Sequence, residues 1–271
     1  TLMTDLGSGK SLTRFAVITV SYNNLEGLKK TASSVSEQTY ESYDWIIIDG
    51  GSDDGTFSYL NTLAQYVRWI SEPDDGIYAA MNKGLDTLED PESYVVFLNA
   101  GDTLADPHTL QSLAAFIQAS EECPDFIYGD ALEEIGDGNK EPYIYVKKAK
   151  SFKLARQGMF THHQAMVYRA GCIGDLRYDE TYKIAADYDF TLRFFKRIKD
   201  IAYFYGPICV FEAGGISQKS ADLGLREQSR IRKSHFEMSK LNNALIIARQ
   251  KIANRLRQTS PTLFKYLRRG T

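Results

Sequence analysis

Residues 45–56 read WIIIDGGSDDGT, an apolar run that ends abruptly in glycines and acids. Residues 94–102, YVVFLNAGD, repeat this design further along the chain. A continuous β-branched run is typical of a strand that is covered on both faces, as in a parallel sheet. Ligands of open α/β sheets bind beyond the carboxyl ends of such strands. Both stretches therefore predict carboxylates and bare backbone at a ligand site, where they would suit a metal ion and a hydroxyl-rich ligand.

The segments on either side alternate between strand and helix patterns. Apolar runs predict strands at 15–20, 45–49, 68–71, 94–99 and 126–129, and helical spacing predicts helices at 25–38, 56–66, 77–88 and 107–120. This alternation predicts a parallel α/β sheet up to Asp130. Beyond it, strand patterns at 143–150, 165–169 and 201–205 and one helix at 187–197 predict a mixed half packed on the first.

Composition is that of an ordinary globular protein, with 271 residues of which 43% are hydrophobic and 25% charged. The three cysteines are scattered without a CxxC pair, which favours reduced thiols in a cytosolic protein over a disulfide or zinc site. No apolar run approaches the ~20 residues that span a bilayer. Residues 1–14 lack the apolar segment of a signal peptide, and we expect a disordered start or one of non-native origin.

Charge is unevenly distributed along the chain. Twelve Lys or Arg and two Glu follow from Arg226 onward, whereas the whole chain carries −3. An acidic body with a basic tail suggests a body that holds a cation and a tail that meets an anion. Residues 223–258 have a helical pattern, which predicts either a helix packed on the body or an amphipathic helix on an anionic membrane; the aromatic and basic end slightly favours the membrane. The predicted apolar face carries Leu241, Leu245, Ala248, Ile252 and Leu256.

Two acidic residues at strand ends are candidate ligand contacts. Asp102 follows Asn99–Ala100–Gly101, where its carboxylate could bind a hard divalent cation. The alternative is a helix cap, but Pro107 would start the next helix too late for that. Asp49, with its glycine turn, could accept hydrogen bonds from a nucleoside. Asp53 and Asp54, by contrast, are better explained as turn or cap residues.

Two further groups could carry chemistry. Asp187 and Asp189 stand at a predicted helix start, where acids either favour the helix dipole or serve as a general base. His162 and His163 directly precede a predicted strand, and adjacent strand residues face opposite ways. At most one of the two histidines can therefore face a given site.

Taken together, these segments resemble the inverting glycosyltransferases of family 2, which have the GT-A fold. The matching stretches are VITVSYN at 17–23, DGGSDDGT at 49–56, EPDDGIYAAMNKG at 72–84, NAGD at 99–102, ADYDFTLR at 186–193 and GGIS at 214–217. LNAGD at 98–102 and HHQ at 162–164 are similar to a branch that builds bacterial surface polysaccharides. Two departures stand out: the metal-binding DXD acids are reduced to Asn99 and Asp102, and Ala186 replaces the Glu of the family's ED pair.

The resemblance implies an α/β GT-A fold, with a mostly parallel central sheet, helices on both faces and a basic helical tail. A catalytic domain at 15–217 would comprise a nucleotide-sugar half at 15–130 and an acceptor half at 131–217. The extension would then cover 218–271.

The same resemblance implies a hexosyltransferase. It would move a sugar from a nucleotide-diphosphate sugar, for which we expect UDP, to a hydroxyl of a glycan or polyprenyl-diphosphate-linked acceptor with inversion. The pathway would be O-antigen, capsule or exopolysaccharide synthesis, in the cytoplasm or at the inner face of the cell membrane, where the basic tail would meet anionic lipid. We expect no nucleic-acid partner.

The resemblance also assigns roles to residues. Asp102 would hold Mn²⁺ or Mg²⁺, and Asp187, with Asp189 as an alternative, would take the acceptor proton. His163 and Gln164 would line the sugar and acceptor side. The nucleotide sugar would contact Ser21, Tyr22, Asn23, Asp49, Gly51, Ser52, Asp75, Asn82, Lys83, Asn99, Ala100 and Gly101.

Other functions remain open from the sequence. The reduced metal motif permits a non-catalytic nucleotide-sugar or carbohydrate-binding protein. A nucleotidyltransferase is less favoured, because that class needs a Gly-rich basic loop where this chain has residues 21–24, SYNN. A dehydrogenase is disfavoured because no GxGxxG follows the first strand.

Overall fold

The computed structural model of the chain describes residues 12–63, 67–135, 143–212 and 220–259. The predicted disordered start up to residue 11, the GGIS stretch and the aromatic and basic end from 260 to 271 lie outside the described residues. The strands are β1 Phe15–Ser21, β2 Tyr43–Asp49, β3 Arg68–Ser71, β4 Tyr94–Phe97, β5 Thr103–Leu104, β6 Phe126–Ile135, β7 Tyr143–Lys147, β8 Met166–Arg169 and β9 Ile201–Glu212. The α-helices are α1 Leu25–Ser36, α2 Thr56–Leu63, α3 Ile77–Asp86, α4 Thr109–Ala119, α5 Ala170–Ile173, α6 Ala186–Phe194, α7 Ala221–His235 and α8 Lys240–Thr259.

All described strands join one sheet in the order β3-β2-β1-β4-β8-β6-β9-β5, with β7 paired to β6. The first four strands of this order are parallel to one another. Strand β8 then runs antiparallel between β4 and β6, and β6 pairs with β9 in parallel. Four of the five strands predicted for the N-terminal parallel sheet thus pair in parallel, whereas the fifth, β6, is separated from β4 by the antiparallel β8. The second half is mixed, as expected.

Helices cover both faces of the parallel half. Every residue of β1 is buried, because its side chains enter two separate apolar layers. One layer joins the strands to α3, α6 and α7 through residues such as Met81, Phe190 and Ile231. The other joins them to α1 and α4 through Leu28 and Leu110. This double cover is why the strands carry continuous apolar runs instead of alternating ones.

Two strands are longer than the sequence predicts. The strand predicted at 126–129 continues to Ile135, and the one predicted at 201–205 continues to Glu212. The continuations pair with each other after a register shift near Asp130. They contain charged residues such as Glu133, which is buried and hydrogen-bonded to His162. An apolar pattern cannot predict a strand whose polar side chains are paired inside the fold.

The predicted helix at 223–258 is two helices that differ in their surroundings. Helix α7 ends at His235, where Phe236 adopts an extended conformation, and α8 begins at Lys240. Ile231 of α7 lies wholly inside the core. Helix α8 instead exposes its apolar face, as described below. Within the described ranges, none of the helices combines the length and the apolar character needed to cross a bilayer.

Candidate active site

The carboxyl ends of β1, β2 and β4 meet at one edge of the sheet. Ser21 ends β1 and pairs in register with Asp49, which ends β2. On the other side of β1, the N–H of Ala100 donates to the carbonyl of Val20 at 3.0 Å, so the turn after β4 lies alongside. The strand order therefore brings the two acidic turns that the sequence singles out to the same edge.

Asp49 organises the first of these turns. It is fully buried, and its Oδ2 accepts hydrogen bonds from the Ser52 N–H at 3.1 Å and the Ser71 hydroxyl at 2.7 Å. The Ser52 hydroxyl accepts from the Asn23 N–H at 2.7 Å, and the Asn23 Oδ1 accepts from the Asp53 N–H at 2.9 Å. Asn23 has φ +47°, a left-handed conformation that Asn tolerates. The turns after β1 and β2 are thus one hydrogen-bonded unit.

A glycine pair keeps backbone accessible beside this unit. Gly51 has φ +78°, and a Cβ there would lie 3.0 Å from the nitrogen of Pro73. At Gly50, a Cβ would lie 2.9 Å from the Asp74 carboxylate and 3.2 Å from the ring of Tyr22. Tyr22 is 66% exposed, so its ring stands open to solvent next to bare backbone. Among the predicted donor contacts, Tyr22, Asn23, Asp49, Gly51 and Ser52 therefore belong to one local structure.

Asp102 lies at the second turn and is 4% exposed. Its Oδ2 accepts from Gln164 Nε2 and its Oδ1 from the N–H of Glu212, both at 2.9 Å. Burial raises the pKa of Asp102 to about 7, and the nearby Glu212 carboxylate adds to the rise. Gly101 has φ +107° and no Cβ, and the Glu212 carboxylate occupies the space that a Cβ would need. The turn thus gathers two carboxylates, one of them from the last strand of the sheet.

The oxygen atoms at this turn suit a hard cation that takes its remaining ligands from a bound substrate. The buried Oδ1 of Asn99 has no hydrogen-bond partner in the part of the chain that the structure describes. Together with Asp102 and Glu212 it supplies the oxygen donors that Mg²⁺ and Mn²⁺ accept. No group of three or more His, Cys, Asp or Glu suited to a metal occurs among the described residues. A cation here would need further oxygens, and Mg²⁺ commonly takes them from substrate phosphates.

Asp187 is the second residue of α6 and is partly buried. Burial raises its pKa to about 6, although the Tyr188 N–H, 2.8 Å from its Oδ1, opposes the rise. The hydroxyl of Tyr78 on α3 donates to the carbonyl of Ile184 at 2.7 Å, so α3 reaches the start of α6. Asp187 forms no ion pair with any residue in the described ranges, and a carboxylate with a pKa near neutrality can serve as a general base.

Asp189 has different surroundings, although it is only two residues further on. Arg193 Nε donates to its Oδ2 at 2.6 Å, and His235 Nε2 is hydrogen-bonded to its Oδ1 at 2.7 Å. Burial would raise the pKa of Asp189, but these two partners lower it overall. Both oxygens are engaged, and the contacts tie α6 to α7. The idea that Asp189 replaces Asp187 as base stays a prediction, and this geometry does not favour it.

The residues predicted for the sugar and acceptor side separate in the fold. Gln164 reaches Asp102 as described, whereas His163 lies in an aromatic part of the core. Its Nε2 is 2.9 Å from the Tyr178 hydroxyl, and its ring centroid is 5.0 Å from that of Phe97. Burial lowers the pKa of His163 to about 3, so the ring is neutral near pH 7. A direct contact of His163 with substrate stays a prediction.

Two predicted donor contacts on α3 make bonds within the protein. Asn82 Oδ1 accepts from the Tyr178 N–H at 2.7 Å, and its Nδ2 donates to Glu180 at 2.8 Å. Lys83 is 2.8 Å from the Glu72 carboxylate, at the turn that packs on Gly51. Both side chains therefore bind α3 to neighbouring loops. Asp75 is exposed and makes no hydrogen bond within the described ranges.

The sequence patterns do not single out two residues of the site, Asn24 and Glu212. Asn24 Oδ1 accepts from the Gly27 N–H at 3.1 Å and its Nδ2 donates to the Ala100 carbonyl at 3.0 Å, which links the β1 and β4 turns. Its position before a helix could have indicated a cap. Glu212 is different, because it approaches Asp102 from 110 positions along the chain. No local pattern could identify such a contact.

Comparison with known proteins identifies the family. The model described as glycosyl transferase family 2 matches residues 16–197. The chain belongs to this family. The match covers the parallel half of the sheet, α6 and both acidic turns. The resemblance carried by the sequence motifs is thus confirmed.

Relatives of this glycosyltransferase act in bacterial glycan synthesis. A PGL/p-HBAD biosynthesis glycosyltransferase of Mycobacterium bovis is 30% identical over 218 residues, or 77% of this chain and 80% of that protein. The succinoglycan biosynthesis protein ExoW of Rhizobium meliloti is 24% identical over 178 residues, or 59% of this chain and 56% of that protein.

Solved structures share the fold of this glycosyltransferase. The mannosyltransferase PcManGT of Pyrobaculum calidifontis, solved with GDP-Man and Mn²⁺, has a TM-score of 0.63 at 13% identity over 94% of this chain and 78% of its own. S. aureus TarS 1-349 in complex with UDP has a TM-score of 0.62 at 18% identity over 92% of this chain and 73% of its own. The predicted GT-A architecture is confirmed.

Proposed function

We propose that this family 2 glycosyltransferase moves a hexosyl group from a nucleotide-diphosphate sugar to a hydroxyl of a glycan or lipid-linked acceptor, with inversion. The observation that carries the proposal is the contrast between two neighbouring acids on α6. Asp189 is held by Arg193 and His235, whereas Asp187 forms no ion pair within the described ranges and has a pKa raised to about 6 by burial. An acid of this kind is suited to receive a proton near neutral pH.

Support for the donor comes from the strand-end turns. Asp49, Ser52 and Asn23 form one pre-organised unit of hydrogen bonds, and the exposed ring of Tyr22 offers a face on which a base can stack. Ser21 adds a buried hydroxyl that has no partner among the described residues. We place Asp75, Asn82 and Lys83 towards the ribose and diphosphate. TarS and PcManGT were solved with UDP and GDP-Man, and we propose a UDP-linked donor here.

A divalent cation, Mn²⁺ or Mg²⁺, fits the second turn. Asp102 would hold it, with Asn99 Oδ1 and Glu212 as further oxygen donors. Such a cation, when bound, supplies positive charge that neutralises the departing diphosphate. Ala100 and Gly101 have small side chains or none, so that the diphosphate could approach their backbone. Gln164, which we expect on the acceptor side, would orient the Asp102 carboxylate through its hydrogen bond to Oδ2.

The transfer is a single displacement. The acceptor oxygen forms a bond to the anomeric carbon while its proton passes to a carboxylate oxygen of Asp187. The bond between the anomeric carbon and the donor phosphate oxygen breaks, and its electron pair leaves with the nucleoside diphosphate. Attack from the side opposite the leaving group inverts the anomeric configuration.

Replacing Asp187 by Asn tests the role of the base. We expect kcat for sugar transfer to fall by about 10²–10⁴-fold, the usual contribution of a general base. Donor affinity, measured by calorimetry with UDP-sugars and Mn²⁺, should stay close to that of the wild type. The matched control is Asp200→Asn, which removes an exposed acid and should leave kcat unchanged.

Unchanged kcat in Asp187→Asn would remove this residue from the mechanism. Donor binding by the wild type without turnover, across a panel of glycan and lipid-linked acceptors, would instead support a non-catalytic nucleotide-sugar-binding protein.

We further propose that α8 brings the enzyme to an anionic membrane surface, at the inner face of the cell membrane, where a lipid-linked acceptor would lie. Leu241, Leu245 and Ile252 are 69%, 51% and 60% exposed and follow one face of the helix. Arg249, Lys251 and Arg255 flank this face. On an anionic bilayer, the exposed apolar residues would enter the lipid and the flanking cations would contact the headgroups.

Vesicle sedimentation tests this surface. Replacing Leu241, Leu245 and Ile252 together by Ser should abolish binding to vesicles that contain phosphatidylglycerol, because the apolar face can no longer enter the bilayer. The control is Ile144→Ser, which removes a similarly exposed apolar side chain from β7 and should leave binding intact. Equal binding by the triple variant and the wild type would overturn the assignment.

A further inference from the structure

Three consecutive backbone amides before α6 are bound by one carboxylate from another helix. The N–H of Lys183 donates to Glu227 Oε1 at 2.8 Å, and those of Ile184 and Ala185 donate to its Oε2 at 2.9 Å each. Glu227 belongs to α7 and is 7% exposed. Charge-assisted bonds to several amides at once are strong and specify the backbone path.

This contact sets the start of the helix that carries the base. Asp187 follows Ala185 by two residues, and the carbonyl of Ala185 accepts the first hydrogen bonds of α6 from Tyr188 and Asp189, at 3.2 and 3.3 Å. On the opposite side, the Tyr78 hydroxyl donates to the carbonyl of Ile184. The segment 183–185 is therefore held by α7 through its N–H groups and by α3 through a carbonyl.

We propose that Glu227 is a positioning residue for sugar transfer, which places the Asp187 carboxylate against the acceptor hydroxyl by holding the 183–185 backbone. The inference rests on the proposed role of Asp187 as base. Helix α7 lies beyond residues 16–197, where the family model matches, so the C-terminal helices of this chain would contribute to the reaction as well as to its location.

The electrostatics of the site agree with this role. The charge of Glu227 raises the pKa of Asp187 further, after the larger effect of burial. Among the described residues, three phenols feel the charge of Asp187: Tyr78 of α3, Tyr168 of β8 and Tyr178 of the loop before α6. Burial raises the pKa of each, so they stay neutral where Asp187 titrates. Asp189 is already matched by Arg193 and His235.

The experiment compares Glu227→Gln with Glu237→Gln, which removes an exposed acid from the segment after α7. Activity is measured across pH with UDP-sugar and Mn²⁺, and donor affinity by calorimetry. We expect Glu227→Gln to lower kcat by about tenfold to a hundredfold, because a displaced catalytic group loses this much, while donor affinity stays unchanged. The acid limb of the profile, that is, the fall of kcat/KM as pH decreases, should also move to lower pH. Removing the negative charge of Glu227 should lower the pKa of Asp187. Glu237→Gln should match the wild type in all three measurements.

Glu227→Asp provides a second variant if the amide prevents folding. This variant keeps the negative charge on a shorter side chain. We therefore expect a lower kcat and an acid limb at the same pH as in the wild type. Wild-type kcat in the Gln variant, or in the Asp variant where Gln does not fold, would overturn the proposal. So would a lower kcat in Glu227→Gln with an unmoved limb, which would indicate a structural contact only. A wild type that transfers no sugar would instead refute the proposed function, which separates the two failures.

Discussion

The acidic residues of the site differ in their surroundings more than in their sequence contexts. Asp49 is buried among hydroxyl and amide donors, Asp102 lies beside a second carboxylate, and Asp189 is held by Arg193 and His235. Asp187 accepts a hydrogen bond from the Tyr188 amide and has no ion pair among the described residues, and burial raises its pKa to about 6. The environment of each side chain thus decides its pKa. Burial brings the pKa values of both Asp187 and Asp102 towards neutrality, and a cation bound at Asp102 would keep that carboxylate ionised.

The pKa of Asp187 predicts the pH dependence of transfer. The base must be ionised to accept a proton, so kcat/KM should fall as pH decreases, with a midpoint near 6, the pKa to which burial raises Asp187. An ordinary Asp would place this limb near pH ~4. Initial rates between pH 4.5 and 8, at saturating Mn²⁺, measure it. An acid limb near pH 4 would contradict the assignment.

Helix α3 packs very closely against the sheet at Gly84. Gly84 is buried against β1, and a Cβ there would lie 2.5 Å from Ile18 Cγ2 and 3.6 Å from Ile48 Cγ1. The same helix contacts the start of α6 through Tyr78 and the segment at 178–180 through Asn82. A shift of α3 would therefore also disturb the surroundings of Asp187.

Gly84→Ala tests this packing. Alanine favours a helix over glycine by about 1 kcal/mol, but forcing a methyl group against β1 should cost more, so we expect a net loss of about 1–3 kcal/mol in the free energy of unfolding. Urea denaturation measures it. Ser58→Ala on the exposed face of α2 serves as control and should be neutral or slightly stabilising. Increased stability of Gly84→Ala would show that α3 can move away from the sheet.

Helix α7 contributes to the same apolar core as the sheet. Ile231 is fully buried in the layer that contains residues of β1 and α6, although it lies far beyond the strands in sequence. Helix α8 contacts α7 through Asn243 and Arg232 but leaves its own apolar face open. The basic C-terminal region is thus part core and part exposed surface.

Ile231→Ala tests whether this region folds with the rest. Removing its buried side chain should cost about 2–5 kcal/mol. Both tryptophans, Trp45 and Trp69, lie in β2 and β3, so their fluorescence reports unfolding of the opposite half. If the molecule is one cooperative unit, this signal will shift to lower urea. Leu241→Ala, at an exposed position, should change stability by less than about 0.5 kcal/mol. An unshifted tryptophan transition in Ile231→Ala would indicate separate folding units.

Local sequence was sufficient for the parallel half and its two acidic turns. The runs at Ile46–Ile48 and Tyr94–Leu98 predict buried strands, and the glycines and acids after them predict where a ligand binds. Residues adjacent in the chain dictate these features, because strand burial and turn conformation depend on neighbouring side chains and on glycine.

Tertiary contacts decided the rest. They lengthened β6 and β9, whose charged residues are paired across the sheet. They also placed His163 in the core, engaged Asp189 with His235, and set Glu212 beside Asp102 and Glu227 at the start of α6. In each case the partner lies far along the chain. The charge state and accessibility of a polar side chain depend on the groups that fold around it, and that information is not contained in any short stretch of sequence.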